Sequence, residues 1–230
     1  VIPSSIRKIA LLAGALVITA ASPAPGSKPN WNATVSQQGN GAFTLGNPNA
    51  KVKLTEYVSY TCPHCAAFHR QADPALRLTY VPQGKASVTV SQFLRNPVDI
   101  TVAMLTNCGD PKRFFTRHNT FMASQDKWLG KMEKFTEAQT GRWTSGPIPV
   151  RLRAIASDFD FYTVMAKWSY SRPQVDRCLA DAAMMKRLEG QTKAAIDLGV
   201  EGTPSFALDG TLLAGTHDWK ALAQQIDARL

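Results

Sequence analysis

The chain has 230 residues, 44% of them hydrophobic and 19% charged, with a formal net charge of +9. That apolar content supports a packed core and excludes disorder over the whole chain. Four cysteines are too few for a disulfide-dense scaffold, no apolar run reaches the ~18 residues of a membrane span, and no repeat indicates a solenoid or propeller.

Arg7 and Lys8 precede an apolar run from Ile9 to Ala21 that only Gly14 and Thr19 interrupt. This is the length of a signal-peptide core, and Thr19-Ala20-Ala21 supplies small residues for cleavage. The expectation is a signal peptide over residues 1–21, cut after Ala21, and a periplasmic mature protein. An uncleaved N-terminal anchor is the alternative. Residues 22–40 carry Pro23, Pro25, Gly26, Pro29 and Gly39 among polar residues and read as a flexible leader. Loss of residues 1–21, which hold Arg7, Lys8 and no acid, lowers the charge from +9 to +7. The remaining basic residues are scattered, with no stripe of the kind nucleic acid selects, so no nucleic-acid partner is expected. A mildly cationic surface can attract an anionic membrane or acidic unfolded substrates.

Phe43 to Leu45 reads as a short edge strand, and Asn47-Pro48-Asn49 as a turn. Lys51 to Ser59 alternates, with Val52, Leu54, Glu56 and Val58 on one face, which predicts a strand. After Tyr60 the period changes. Cys65, Phe68, Ala72, Ala75 and Leu76 recur at helical spacing, with Thr61 as the cap, Pro63 in the first turn and Pro74 as a kink. Gln83-Gly84 turns the chain into a strand over Ala86 to Leu94, which completes a parallel βαβ unit.

From Pro97 to Leu198 the pattern is helical: Val102–Asn107, Arg113–Met122, Lys131–Gln139, Val150–Ala156 and Val175–Leu198. Asp158 and Asp160 read as loop acids, and the five tryptophans as packing residues. Strands return at Ser205–Leu208 and Thr211–Ala214 around Asp209-Gly210, a hairpin signal. A last helix follows, capped by Thr216 and buried along Trp219, Leu222, Ile226 and Leu230. The division is therefore residues 41–96 with 191–230 as one α/β unit, and 97–190 as an inserted helical domain.

Cys62-Pro63-His64-Cys65 lies where strand gives way to helix. A c-type haem site needs His after the second cysteine, and Ala66 stands there. Zinc would need two more ligands; Cys65 and His69 alone do not supply them, so no metal or other cofactor is expected. Redox chemistry is the reading that fits a βαβ setting in an exported chain. Orphan N–H groups and the dipole at the helix start favour a Cys62 thiolate, and His64 can add positive charge or a donor. Cys62 is expected to be the exposed attacking sulfur and Cys65 the resolving thiol one turn inward.

Glu56 falls on the apolar face of its strand, six residues before Cys62. It is either a partly buried acid with a raised pKa that trades a proton with Cys65, or a strand-edge glutamate facing solvent. Thr203-Pro204 precedes a strand; a cis bond there would leave Thr203 free to pair with an extended substrate peptide, and a trans turn is the alternative. Cys108 and Cys178 can form a structural disulfide in an exported protein or remain buried thiols. His69, His118 and His217 have no ligand-like spacing and read as surface or core residues.

Glu56, Cys62-Pro63-His64-Cys65 and Gly202-Thr203-Pro204, with a helical insert between the two halves, resemble the DsbA family over residues 41–230. The resemblance implies a thioredoxin fold with a large helical insertion between its βαβ and ββα halves. It implies a cis proline at Pro204 facing Cys62, and dithiol oxidation of reduced exported proteins. It further implies recharging by a DsbB-like membrane partner, and a monomer is expected. A reductase or isomerase on the same scaffold, or a non-catalytic chaperone or binding module, are the competing readings.

Overall fold

Alternation along Val52–Val58 (β3) buries Val52, Leu54 and Val58 on one face of a sheet. The computed structural model describes residues 29–230. β3 pairs in parallel with Ala86–Gln92 (β4) and antiparallel with Ser205–Leu208 (β5). Phe43–Gly46 (β2) joins the far side of β4, Val35–Gln37 (β1) lies outside β2, and Thr211–Leu212 (β6) closes the other edge. The order is β1-β2-β4-β3-β5-β6. Asp209 and Gly210 both take positive φ, 52° and 83°, the turn a two-residue hairpin demands.

Helix Pro63–Ala75 (α1) connects β3 to β4 and packs with the C-terminal helix Trp219–Asp227 (α10) on one face. Phe68, Leu222 and Ile226 share that core with Leu54 and Val58. Burying a side chain such as Leu222 contributes about 2 kcal/mol. The opposite face carries a smaller cluster of Tyr57, Ala195, Val200 and Ala207 beneath Ala182–Asp197 (α9). Between β4 and β5 the chain runs through Pro97–Thr106 (α2), Phe114–Ala123 (α3), Gln125–Leu129 (α4), Glu137–Gly141 (α5), Ile148–Asp158 (α6), Phe161–Ala166 (α7), Arg172–Cys178 (α8) and α9. This is the expected α/β architecture with a helical insertion between the βαβ and ββα halves. Phe121, Trp128, Phe159 and Phe161 pack edge-on and stacked inside the insert. A disulfide joins Cys108 to Cys178, with Cα atoms 5.5 Å apart. Closing a loop of 70 residues stabilises by about 4 kcal/mol in the chain-entropy description.

Several expectations need correction. The signal peptide lies outside the described residues, but the leader assigned to 22–40 contains a 3-10 turn, Trp31–Ala33, and β1. β2 is therefore an inner strand. Cys62, not Thr61, is the N-cap of α1. α1 passes through Pro74 and then widens into a π turn over Leu76–Tyr80, after the proline has removed one helical donor. Lys131–Gln139 is not one helix, because Phe135 is extended and Thr136 starts α5 with a capping box. Val175–Leu198 breaks where Asp181 caps α9, and α9 itself crosses the boundary placed at 190. Asp158 ends α6 and accepts from Trp143 Nε1 at 2.7 Å and Arg142 at 2.8 Å. Asp218 rather than Thr216 caps α10, and Leu230 is exposed.

Candidate active site

The strand-to-helix junction places Cys62 at the N-cap of α1 in extended backbone, with Pro63 at the first helical position. The Cys62 carbonyl accepts from Cys65 N at 3.1 Å and Ala66 N at 3.3 Å. The insert clamps the preceding turn. Asp99, buried at the start of α2, accepts from Ser59 Oγ (2.7 Å), Tyr60 N (2.7 Å) and Arg95 N (3.0 Å). Burial pushes its carboxyl up to about 6 against the pull of those donors. Asn96 caps α2 by accepting from Asp99 N, and it donates to Thr61 Oγ1. Gln125 Nε2 donates to Tyr60 O at 2.7 Å and to Cys62 O at 2.8 Å. Sequence reasoning missed these residues. For Asp99 a signal existed: an acid in the first turn of an otherwise apolar helix, three residues after an Asn-Pro cap. Gln125 gave none.

Cys62 is only 2% exposed, which corrects the expectation of an exposed sulfur. Its Sγ donates to the Thr203 carbonyl at 3.1 Å. The thiol pKa is lowered from 9.0 to about 5. The first cause is a hydrogen bond from the Cys65 thiol. Burial opposes it, and the Thr203 side chain and the backbone N–H groups of Cys65 and His64 add to the lowering. The helix start therefore contributes, but the neighbouring thiol contributes more. The Thr203 hydroxyl is buried and has no hydrogen-bond partner among the described residues, which leaves it free to serve a thiolate. Cys65 is fully buried, and burial first, then Cys62, pushes its thiol well above the ordinary value. The two sulfurs thus share one ionisation, and it falls on Cys62.

Glu56 sits on β3 between Val90 of β4 and Phe206 of β5, and it is 5% exposed. Burial, then the charge of Asp73, raises its pKa from 4.5 to about 8. Ser205 pairs with Tyr57, so the residues just before β5 run beside the end of β3 and meet the Cys62 turn. The Thr203-Pro204 peptide is cis. His64 is exposed and makes no side-chain hydrogen bond to Cys62. It lines a groove of about 600 Å³ with Thr203, Pro204, Ser205, Gly215 and His217. The fold therefore gathers Cys62, Pro63, His64, Cys65, Thr203 and Pro204 at one end of β3, with Glu56 below. Cys108 and Cys178 lie apart, in the insert. His69 and His118 are both buried, and His217 is exposed.

A thioredoxin family model matches residues 38–228. A crystal structure of a protein-disulfide isomerase from Novosphingobium aromaticivorans is 51% identical, with a TM-score of 0.78 over 81% of this chain and 95% of that one. The Wolbachia pipientis alpha-DsbA1 structure, 22% identical with a TM-score of 0.64 over 80% and 88% of the two chains, shares the fold. A Rickettsia typhi protein called a protein-disulfide oxidoreductase is 39% identical over 90 residues, which is 39% of this chain and 33% of that protein. The match thus spans about a third of the length of that curated relative. With Cys62 and Cys65 at the start of α1, and with helices inserted between β4 and β5, the chain belongs to the thioredoxin family.

Proposed function

We propose that the chain oxidises dithiols in reduced, exported proteins through the Cys62–Cys65 pair. The observation that carries this reading is the Cys62 thiol held at about 5. At pH 7 a thiol two units above its pKa is almost wholly ionised, which stabilises the dithiol form by about 3 kcal/mol relative to an unshifted thiol. For a two-electron couple that is about 60 mV toward the oxidant.

In the oxidised protein a substrate thiolate attacks Cys62, and Cys65 leaves with the electron pair. The second substrate thiol then attacks the substrate sulfur of the mixed disulfide, which forms the substrate disulfide and releases Cys62 as the stabilised thiolate. Glu56 supplies the proton that Cys65 takes up. Thr203, with Pro204, docks the substrate strand beside the sulfur, and His64 tunes Cys62 through its backbone N–H. Reoxidation falls to a DsbB-like membrane partner. The periplasm is the proposed location, supported by the apolar run at 9–21 and by the Cys108–Cys178 bond, which persists in oxidising compartments. The protein acts as a monomer in this reading.

Cys62→Ser abolishes oxidation of a reduced model peptide, and Cys65→Ser accumulates mixed disulfides. Full activity in Cys62→Ser would overturn the mechanism. A second reading, isomerase or reductase, is favoured by the name of the 51%-identical structure. A potential near that of thioredoxin would select it.

A further inference from the structure

Beneath α1, Glu56 faces a cavity of about 20 Å³, room for a single water. Its polar lining comes from three elements: Glu56 of β3, His69 and Asp73 of α1, and His118 and Asn119 of α3. The active-site turn uses none of the last four. His69 is 7% and His118 2% exposed, with ring centroids 5.3 Å apart, and His118 Nδ1 lies 2.9 Å from the Tyr60 hydroxyl. The outer end is Asp73, whose side chain is 27% exposed; it accepts from Arg77 at 2.7 Å and from Asn119 Nδ2 at 3.2 Å. The other side-chain atom of that amide, Asn119 Oδ1, is buried and has no partner among the described residues. An orphan acceptor beside a water-sized polar cavity is the place where a bridging water is held.

We infer that this cavity is the path by which Glu56 exchanges its proton with solvent, with His69 as the relay and Asp73 as the outer gate. The inference rests on the reading of Glu56 as the acid that serves Cys65. When substrate thiolate forms its bond to Cys62, the Cys62–Cys65 bond breaks and the electron pair leaves on Cys65. Glu56 gives Cys65 a proton and is left as a carboxylate among Val90 and Phe206. Until it regains a proton from solvent, Cys65 can return its own and re-attack the mixed disulfide. At that moment substrate covers the groove side, whereas the cavity opens between α1 and α3 and stays clear.

The charges fit a relay. Burial keeps His69 on the neutral side, with Asp73 opposing and Arg77 and Arg70 adding to the lowering. His118, deeper, is held neutral by burial, His69 and Arg77. A neutral imidazole can accept at one nitrogen and release at the other.

The test is single-turnover reduction of the oxidised protein by a dithiol peptide from about pH 6 to 9, in light and heavy water. His69→Gln and Asp73→Asn are compared in the wild-type and Glu56→Gln backgrounds. His69→Gln is expected to slow the step roughly tenfold at neutral pH and enlarge the solvent isotope effect, with no further slowing in Glu56→Gln. Asp73→Asn, near the surface, shows the same pattern more weakly and carries the test if His69→Gln does not fold. Equal slowing with and without Glu56, or wild-type rates in both variants, would overturn the relay. If Glu56→Gln itself runs at the wild-type rate, the acid role of Glu56 fails instead, and the relay with it.

Discussion

Glu56→Gln stabilises the reduced protein, and by more as the pH rises. The carboxyl has a pKa of about 8 in the fold against 4.5 in an exposed chain. Between those values the folded state holds a proton that the unfolded state has lost. Stability is therefore full below the unfolded pKa and falls as pH rises toward the folded one. Each unit costs about 1.4 kcal/mol until the folded carboxyl itself ionises, so the wild type gives up about 3 kcal/mol by pH 7 and about 4 kcal/mol by pH 8. Glutamine fills the same space between Val90 and Phe206 and never ionises. Urea unfolding of the two reduced proteins at several pH values reads the difference directly, provided the m-values agree. The curves coincide near pH 4 and separate progressively above it. A gap that does not change with pH, or a wild type that is the more stable at pH 8, would refute the argument that burial sets this carboxyl. The stabilised variant is also the slower oxidant, a cost that buried catalytic acids commonly show.

Cys65→Ala removes the largest of the contacts that lower Cys62, so the Cys62 titration moves up from about 5, whereas Cys65→Ser, which keeps an O–H donor, moves it less; thiolate absorbance against pH separates the two. Gln125→Ala leaves the Tyr60 and Cys62 carbonyls without their shared donor and costs about 1–3 kcal/mol in urea unfolding. The double change Cys108→Ala with Cys178→Ala lowers stability by about 4 kcal/mol through the released 70-residue loop, while the Cys62 titration stays where it was.

The thioredoxin half was legible because its signals are local. Alternation along Val52–Val58, the change of period after Tyr60, and Asp209-Gly210 each declare an element within a few residues. β1 did not, since Val35–Gln37 sits among Gly, Asn and Gln and gains its order from pairing with β2. The break between α8 and α9 was hidden because Asp181 is a cap inside a stretch of continuous helical composition. At the site, residue identity and spacing located Cys62, Cys65 and Glu56, but not what surrounds them. Asp99 reaches Ser59 across 40 residues and Gln125 reaches Tyr60 across 65. Cys62 meets Thr203 across 141. Such contacts follow from tertiary packing, which periodicity does not encode. The helix-start contribution was legible and is present in the backbone N–H groups of Cys65 and His64, whereas the opposing burial and the approach of Thr203 to the sulfur come only with the folded chain.

The most direct test of the account is the thiolate absorbance of the reduced protein followed against pH, with Cys62→Ser as the blank. Ionisation centred at about 5, absent from the blank, is the predicted result. A midpoint near the 9.0 of an unshifted thiol would mean that the donors around Cys62 do not hold its charge, and the oxidising power ascribed to the pair would have no source.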